Sequence, residues 1–201
     1  MRITLIDAGK RFNRDWIFRH LHYEFTPGHS YAIIGSNGSG KSTLLQSIAG
    51  AIGLSEGSIG YEKSQADQVY RHLSLAAPYL EVIEEMTATE FLRFHSGFKP
   101  FLPGLSVGDI LRQVGLGTAA HKQIRYYSSG MKQRVRLAQA LFSNTPIILL
   151  DEPCTNLDID GIALYRQLTQ QYSKDRLVIV SSNDSQEYDF CGEIINIMDW
   201  K

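Results

Sequence analysis

The sequence predicts an α/β fold built on a parallel core sheet, and three observations predict it. Ile147–Leu150 and Leu177–Val180 are apolar at every position, the pattern of central strands buried on both faces. Tyr31–Ile34 is a third short apolar run, and it enters a glycine-rich loop that leads directly into a helical pattern from Lys41. Strand-like and helix-like segments then alternate to the end of the chain, as in a sheet whose parallel strands are joined by helices.

The remaining elements follow in order. Ile3 and Leu5, and with them Asp7, alternate with polar positions, and Trp16 to Phe25 alternates again. Short strands are therefore expected before the Pro27-Gly28 turn. Residues 53–72 are rich in Gly, Ser and charge and suit turns, with an edge strand around Ser58–Tyr61. Thr87-Ala-Thr-Glu90 is a capping box, which predicts a helix running to about His95. Gly97–Gly104 is a Gly/Pro-rich break. Ser106–Val114 reads as a second helix, stopped by Gly115 and Gly117. A third helix is expected over Ser129–Ser143, with Val135, Ala138, Leu141 and Phe142 on one face, and a fourth over Ile159–Tyr172. A short helix over 186–191 and a strand over 193–198 close the chain. The helical segment of about 85–130 reads as an insertion into a single domain, 1–201, whose core is about 1–84 and 131–201. Phe91, Phe94, Phe98 and Phe101 read mostly as the core of that insertion.

Composition narrows the function classes. A chain of 201 residues can bury about 70% of its surface without metal or disulfide staples. Twenty Lys+Arg against 21 Asp+Glu give a net charge of −1, so no nucleic acid is held here by bulk charge. Cys154 and Cys191 offer no disulfide framework and suit a reducing cytoplasm. Cys154 reads as a small buried residue. No run of 18 apolar residues appears, so no membrane-spanning helix is expected. His20 and His22 could share one strand face, yet no third metal ligand has suitable spacing, and they read as surface histidines.

One motif carries chemistry by itself. Gly35-Ser36-Asn37-Gly38-Ser39-Gly40-Lys41-Ser42-Thr43 satisfies GxxxxGK[ST] between a strand and a helix. The glycines let backbone N–H groups turn inward around phosphate oxygens, and the helix aims its positive dipole end at the same anion. Lys41 is placed to reach the β- and γ-phosphates of a nucleoside triphosphate, and the Ser42 hydroxyl to ligate magnesium. Asp151 and Glu152 end the strand Ile147–Leu150. Asp151 is expected to hold the magnesium shell, and Glu152 to orient or deprotonate an attacking water.

With GSNGSGKST at 35–43, YSSGMKQR at 127–134, IILLDEP at 147–153 and TNLD at 155–158, the chain resembles the ATP-binding cassette (ABC) ATPase family. The order and spacing of the four motifs match over essentially the whole chain. The resemblance implies a P-loop NTPase with a RecA-like mixed sheet flanked by helices, an antiparallel β subdomain and an inserted α-helical subdomain. It implies two ATPs sandwiched in a head-to-tail dimer. The signature residues Ser128, Ser129 and Gly130 would cap the γ-phosphate bound by the other subunit, and Asp158 would lie at the interface. It places Phe12, with Trp16 as the alternative, where an aromatic ring stacks on adenine. It implies a transmembrane permease on a separate chain, a second ABC subunit (a further copy of this chain being the first choice), and a cytoplasmic position on the inner face of the membrane. Two alternatives stand beside it: a weakly hydrolysing partner in a heteromeric complex, and a soluble ABC ATPase outside transport.

The chain departs from the family pattern at four places. Ser129 and Met131 replace the usual glycine and glutamine of the signature. Ala77, or Ala76, stands where the family has the glutamine of its Q-loop, leaving that role to a water or to a neighbour such as Ser74 or Glu81. Asn183 stands where the family has its switch histidine. The chain stops at Lys201, close after the core. Slow hydrolysis is expected, because Asn183 cannot carry a positive charge while Glu152 is intact.

Overall fold

The computed structural model describes residues 1–201. In chain order its elements are β1 (Ile3–Phe12), β2 (Asp15–Phe25), β3 (Ser30–Ile34), α1 (Lys41–Ile48), β4 (Glu56–Tyr61), β5 (Leu73–Ala76), α2 (Ala88–Ser96), α3 (Val107–Gln113), α4 (Ser129–Phe142), β6 (Ile147–Asp151), α5 (Ile159–Tyr172), β7 (Leu177–Ser181) and β8 (Glu193–Asn196).

The core sheet has the order β5-β6-β7-β3-β8, and all four of its pairings are parallel. The antiparallel strands are gathered in a second sheet, β2-β1-β4. The alternation of side chains along a strand explains the unbroken apolar runs. Ile148, Leu150, Val178 and Val180 face the core made with α2 to α5. Ile147, Leu149, Leu177 and Ile179 face the core shared by α1 and the antiparallel sheet. Every one of these eight residues is fully buried.

Asp7 does not continue the alternation of Ile3 and Leu5. β1 bulges between Leu5 and Ala8, which returns Ala8 to the core and leaves Asp7 exposed at φ 49°. Its carboxylate meets His20 Nδ1 at 2.7 Å, and its N–H donates to His22 Nδ1 at 3.3 Å. Both histidines are at the surface, as their spacing predicts. Opposite the bulge only glycine fits: a Cβ on Gly57 would lie 2.1 Å from the Asp7 carbonyl oxygen.

Thr87 caps α2 in a capping box, and Ser106 with Asp109 forms a second one on α3. The buried stripe of α2 is Ala88, Phe91 and Leu92, at helical spacing. Phe101 is half-buried against the same core. Phe94, on the other side of the helix, and Phe98, in the turn after it, are exposed, their rings meeting edge to face at 5.1 Å. The four-phenylalanine core is thus half right. Turns account for one agreement and two further differences. Residues 66–71 form a 3-10 turn whose Val69 is buried. The helix expected over 186–191 is a single 3-10 turn, Ser185–Glu187, started by the Asp184 side chain accepting from the Gln186 N–H. The last strand ends at Asn196, whose side chain accepts from the Met198 N–H and opens another such turn over Ile197–Trp200.

Arg176 secures the end of the sheet where β6 and β7 begin, beside the C-terminus of α4. Its buried guanidinium donates to the carbonyls of Leu141, Ser143, Thr145 and Tyr172 and to Thr145 Oγ1. Burial pulls its pKa down to about 10.

Candidate nucleotide site

The phosphate loop fills the gap between the end of β3 and the start of α1. Gly35, Gly38 and Gly40 have φ of 150°, 76° and 101°. A Cβ on Gly40 would lie 2.1 Å from Ile17 Cγ2, and one on Gly35 would lie 2.7 Å from Ser39 Oγ and 2.9 Å from Ile197 Cγ2. Two of the loop's glycines are therefore demanded by close packing as well as by conformation. No side chain caps α1, so its first N–H groups are left for an anion. Lys41 is folded back over the loop, with Nζ donating to the Gly35 carbonyl at 2.9 Å and the Ser36 carbonyl at 3.2 Å. Lys201 Nζ reaches the Ser39 carbonyl at 2.7 Å, a contact that nothing in the sequence pattern announces. Ser39 Oγ is buried without a partner.

Asp151 ends β6 beside this loop. It is 2% exposed, and its Oδ1 has no partner. Burial pushes its carboxyl up, while the hydroxyls of Ser42 and Ser181 and the charge of Lys41 oppose that. A buried carboxylate with an unpartnered oxygen, next to the Ser42 hydroxyl, is a donor set that fits magnesium.

Glu152 follows at φ 42°, an uncommon conformation for a residue with a Cβ. Its N–H donates to the Ser181 carbonyl at 2.8 Å. It lines a cleft of about 520 Å³ together with Asn37, Ser182, Asn183, Asp184 and Glu187. Across this cleft Asn183 Nδ2 donates to Asn37 Oδ1 at 2.9 Å, tying the loop after β7 to the phosphate loop.

The expected signature and interface residues form a separate cluster at the start of α4. Ser128 caps the helix, its Oγ accepting from the Met131 N–H at 3.2 Å, and Ser128 and Ser129 are both exposed. A Cβ on Gly130 would lie 2.9 Å from the Asn156 carbonyl, so glycine lets α4 sit against the turn that precedes α5. Asp158 caps α5 through the Gly161 N–H at 2.8 Å and meets Arg134 at 3.4 Å. Gln133 Nε2 donates to the Pro153 carbonyl at 2.8 Å, joining α4 to the turn after Glu152.

Phe12 and Trp16 differ in what their ring faces offer. Phe12 is 46% exposed, with Lys10 Nζ 5.0 Å from its ring centroid. Trp16 lies against two guanidiniums, Arg19 at 4.4 Å and Arg11 at 5.5 Å, and Arg19 is fixed in turn by Glu56 at 3.0 and 3.2 Å. The Trp16 ring is thus engaged by two cations, where the Phe12 ring has one and is exposed.

Ser74 is no substitute for a Q-loop side chain either. It is buried within the sheet, bonded to the Ile147 carbonyl and Thr145 Oγ1. Ala77 is fully buried. Tyr79, in the same loop and 45% exposed, lies near Asp151 and Gln46. Burial of its phenol, and then the Asp151 charge, push it up to about 12, and the Gln46 side chain opposes the rise. The sequence signal for this pair was faint: Gln46 stands one helical turn beyond Ser42, and Tyr79 follows Pro78 where β5 ends.

A family model described as "ABC transporter" matches residues 18–155. The chain is 30% identical over 192 residues to YybJ, an uncharacterized ABC transporter ATP-binding protein of Bacillus subtilis, covering 92% of this chain and 87% of that one. It is 30% identical over 191 residues to the cytochrome c biogenesis ATP-binding export protein CcmA of Agrobacterium fabrum, covering 91% and 89%. Among solved structures, the dimeric bacterial ABC transporter cassette MJ0796 superposes with a TM-score of 0.81 at 23% identity, covering 96% and 93%.

Proposed function

The chain belongs to the ABC transporter family as one of its ATP-binding, ATP-hydrolysing subunits, and from that premise we propose how its residues divide the work. The observation that carries the assignment is the buried Asp151 carboxylate, with one unpartnered oxygen, set against Ser42 beside the open N-terminus of α1. Residues Gly35 to Thr43 bind the ATP phosphates, with Lys41 leaving its two loop carbonyls for the β- and γ-phosphates. Ser42 and Asp151 hold magnesium, which when bound neutralises charge on the β- and γ-phosphates. Phe12, with its exposed ring, stacks on adenine.

Glu152 orients the attacking water and accepts its proton in the cleft. Asn183 releases Asn37 and donates to a γ-phosphate oxygen. It does so without the charge that a protonated histidine would bring, so turnover is slow. Ser128, Ser129 and Gly130 cap the γ-phosphate held by a second copy of the chain, and Asp158 lies at that head-to-tail interface. The exposure of Ser128 and Ser129 supports this. The residues form one domain with the helical segment 85–130 inserted. It works on the inner face of the membrane with a permease supplied by a separate chain. No helix of this chain is long and apolar enough to cross a membrane.

The test couples turnover to composition. Glu152→Gln should lower ATP turnover at least about 100-fold while ATP binding stays intact. Purification of the tagged chain from its own cells in mild detergent, with ATP and EDTA, should recover a polytopic membrane protein in stoichiometric amount. A second, different cassette in that complex would instead favour a weakly hydrolysing member of a heteromeric pair, the reading to which Ala77 and Asn183 lend support.

A further inference from the structure

Glu187 is a buried carboxyl that the division of work above leaves without a task. It stands four residues after Asn183, at the end of the 3-10 turn Ser185–Glu187, and is 5% exposed. Its Oε1 accepts the Cys154 backbone N–H at 2.8 Å. Its own carbonyl accepts the Tyr165 hydroxyl of α5 at 2.7 Å. Oε2 is buried, has no partner, and belongs to the residue that closes the cleft behind Glu152 and Asn183. Burial pushes the carboxyl up, and the charges of Asp184 and Glu152 add to that against the Ser182 hydroxyl and the Cys154 N–H.

The Cys154 N–H matters because of what precedes it. Glu152 sits at φ 42°, a conformation that persists only where its surroundings hold it. Three contacts do so. The Glu152 N–H is bound by the Ser181 carbonyl, the Pro153 carbonyl by Gln133 of α4, and the Cys154 N–H by Glu187. The first comes from β7 and the second from the helix that begins at the signature. The third comes from the loop that carries Asn183. Of the three, Glu187 is the one that joins the Glu152 turn to the Asn183 loop through a side chain.

We propose that Glu187 is a positioning residue: its carboxyl ties the Asn183 loop to the turn that carries Glu152 and so sets the spacing between these two groups across the cleft. The proposal rests on the reading of Glu152 and Asn183 given above. Removing the acceptor leaves the Cys154 N–H buried and unpaired, and the turn relaxes away from φ 42°. The phosphate loop touches none of these atoms, so ATP binding is spared.

The test is steady-state ATP hydrolysis by the full chain, with ATP affinity and thermal melting measured on each variant. Glu187→Gln keeps an oxygen for the Cys154 N–H, and kcat should stay within about threefold of the parent. Glu187→Leu should lower kcat about tenfold or more at unchanged KM and unchanged ATP affinity. Should the leucine variant fail to fold, Glu187→Asp replaces it: one methylene short of Cys154, it should show the same kcat loss, which glutamine does not. Full kcat in both the leucine and aspartate variants would overturn the proposal, as would a loss of kcat matched by an equal loss of ATP affinity. Glu152→Gln is run alongside. If Glu152→Gln keeps full turnover, the base assignment falls; if it is dead while Glu187→Leu is fully active, the Glu187 proposal falls alone.

Discussion

The phosphate loop and the cleft beside it share a rim but are built on opposite principles. The loop's shape is fixed by its surroundings: its glycines are required by neighbouring atoms, and Lys41 and Lys201 are bonded to its carbonyls, with Ser39 Oγ its one buried side-chain atom left unpartnered. The cleft is left unsatisfied. Glu152, Asp184 and Glu187 line it together, and Glu187 Oε2 has no partner. A rigid cradle gains binding by avoiding reorganisation, whereas a site that must receive charge in a transition state needs groups not already neutralised. The contrast separates binding from turnover, and substitutions should separate them too.

The largest expected effect is on the loop. In Gly40→Ala the new Cβ meets Ile17 Cγ2 at 2.1 Å, in a backbone conformation of φ 101° that alanine resists. The two costs together come to about 3 kcal/mol, so ATP affinity should fall about 100-fold in calorimetry. Adding Ile17→Ala opens the space without relieving φ and should recover about tenfold of that. Full recovery would mean that packing alone, not conformation, demands the glycine.

On the cleft side, Asn183→His should raise kcat about 5- to 50-fold by restoring a donor that can carry charge, with ATP affinity unchanged. The variant also gives up the Asn37 contact, whose loss in an exposed bond is worth little. An unchanged kcat would show that Asn183 already supplies what the reaction needs. A changed affinity would move Asn183 into the binding half.

The same contrast decides what was legible in the sequence. The loop is nine consecutive residues, and local chemistry accounts for each, so it could be read directly. β6, β7, α4 and α5 were equally readable, since their period and caps are local properties. The cleft is assembled from residues 37, 152, 183 and 187, which only the sheet order brings together. Glu187 falls in the short helix expected over 186–191, and its burial has no sequence signature. Phe12 and Trp16 were indistinguishable as aromatic residues at one end of the β1–β2 hairpin until Arg11 and Arg19 were seen against the second ring. Asp7 fits an alternating pattern by position, yet a bulge reverses which face it takes. Phe94 and Phe98 sit at helical spacing to each other, but spacing says neither which stripe of a short helix meets the core nor that α2 ends at Ser96, before Phe98.

Tyr79 is where the two halves meet, and it gives the smallest and most discriminating prediction. Its phenol faces Gln46 on α1, one turn beyond Ser42, and the Asp151 carboxylate at the end of β6. Ala77, two residues earlier, is buried and offers no polar atom. Tyr79→Phe keeps the ring and removes only the hydroxyl. A single neutral hydrogen bond is worth about 1 kcal/mol, so the expected change is about fivefold. The contrast drawn above places that change in kcat, because the phosphate loop keeps all of its own contacts. A fivefold loss of ATP affinity at constant kcat would instead assign the phenol to the cradle. It would then serve binding through Gln46, and the unsatisfied half of the site would begin at Glu152.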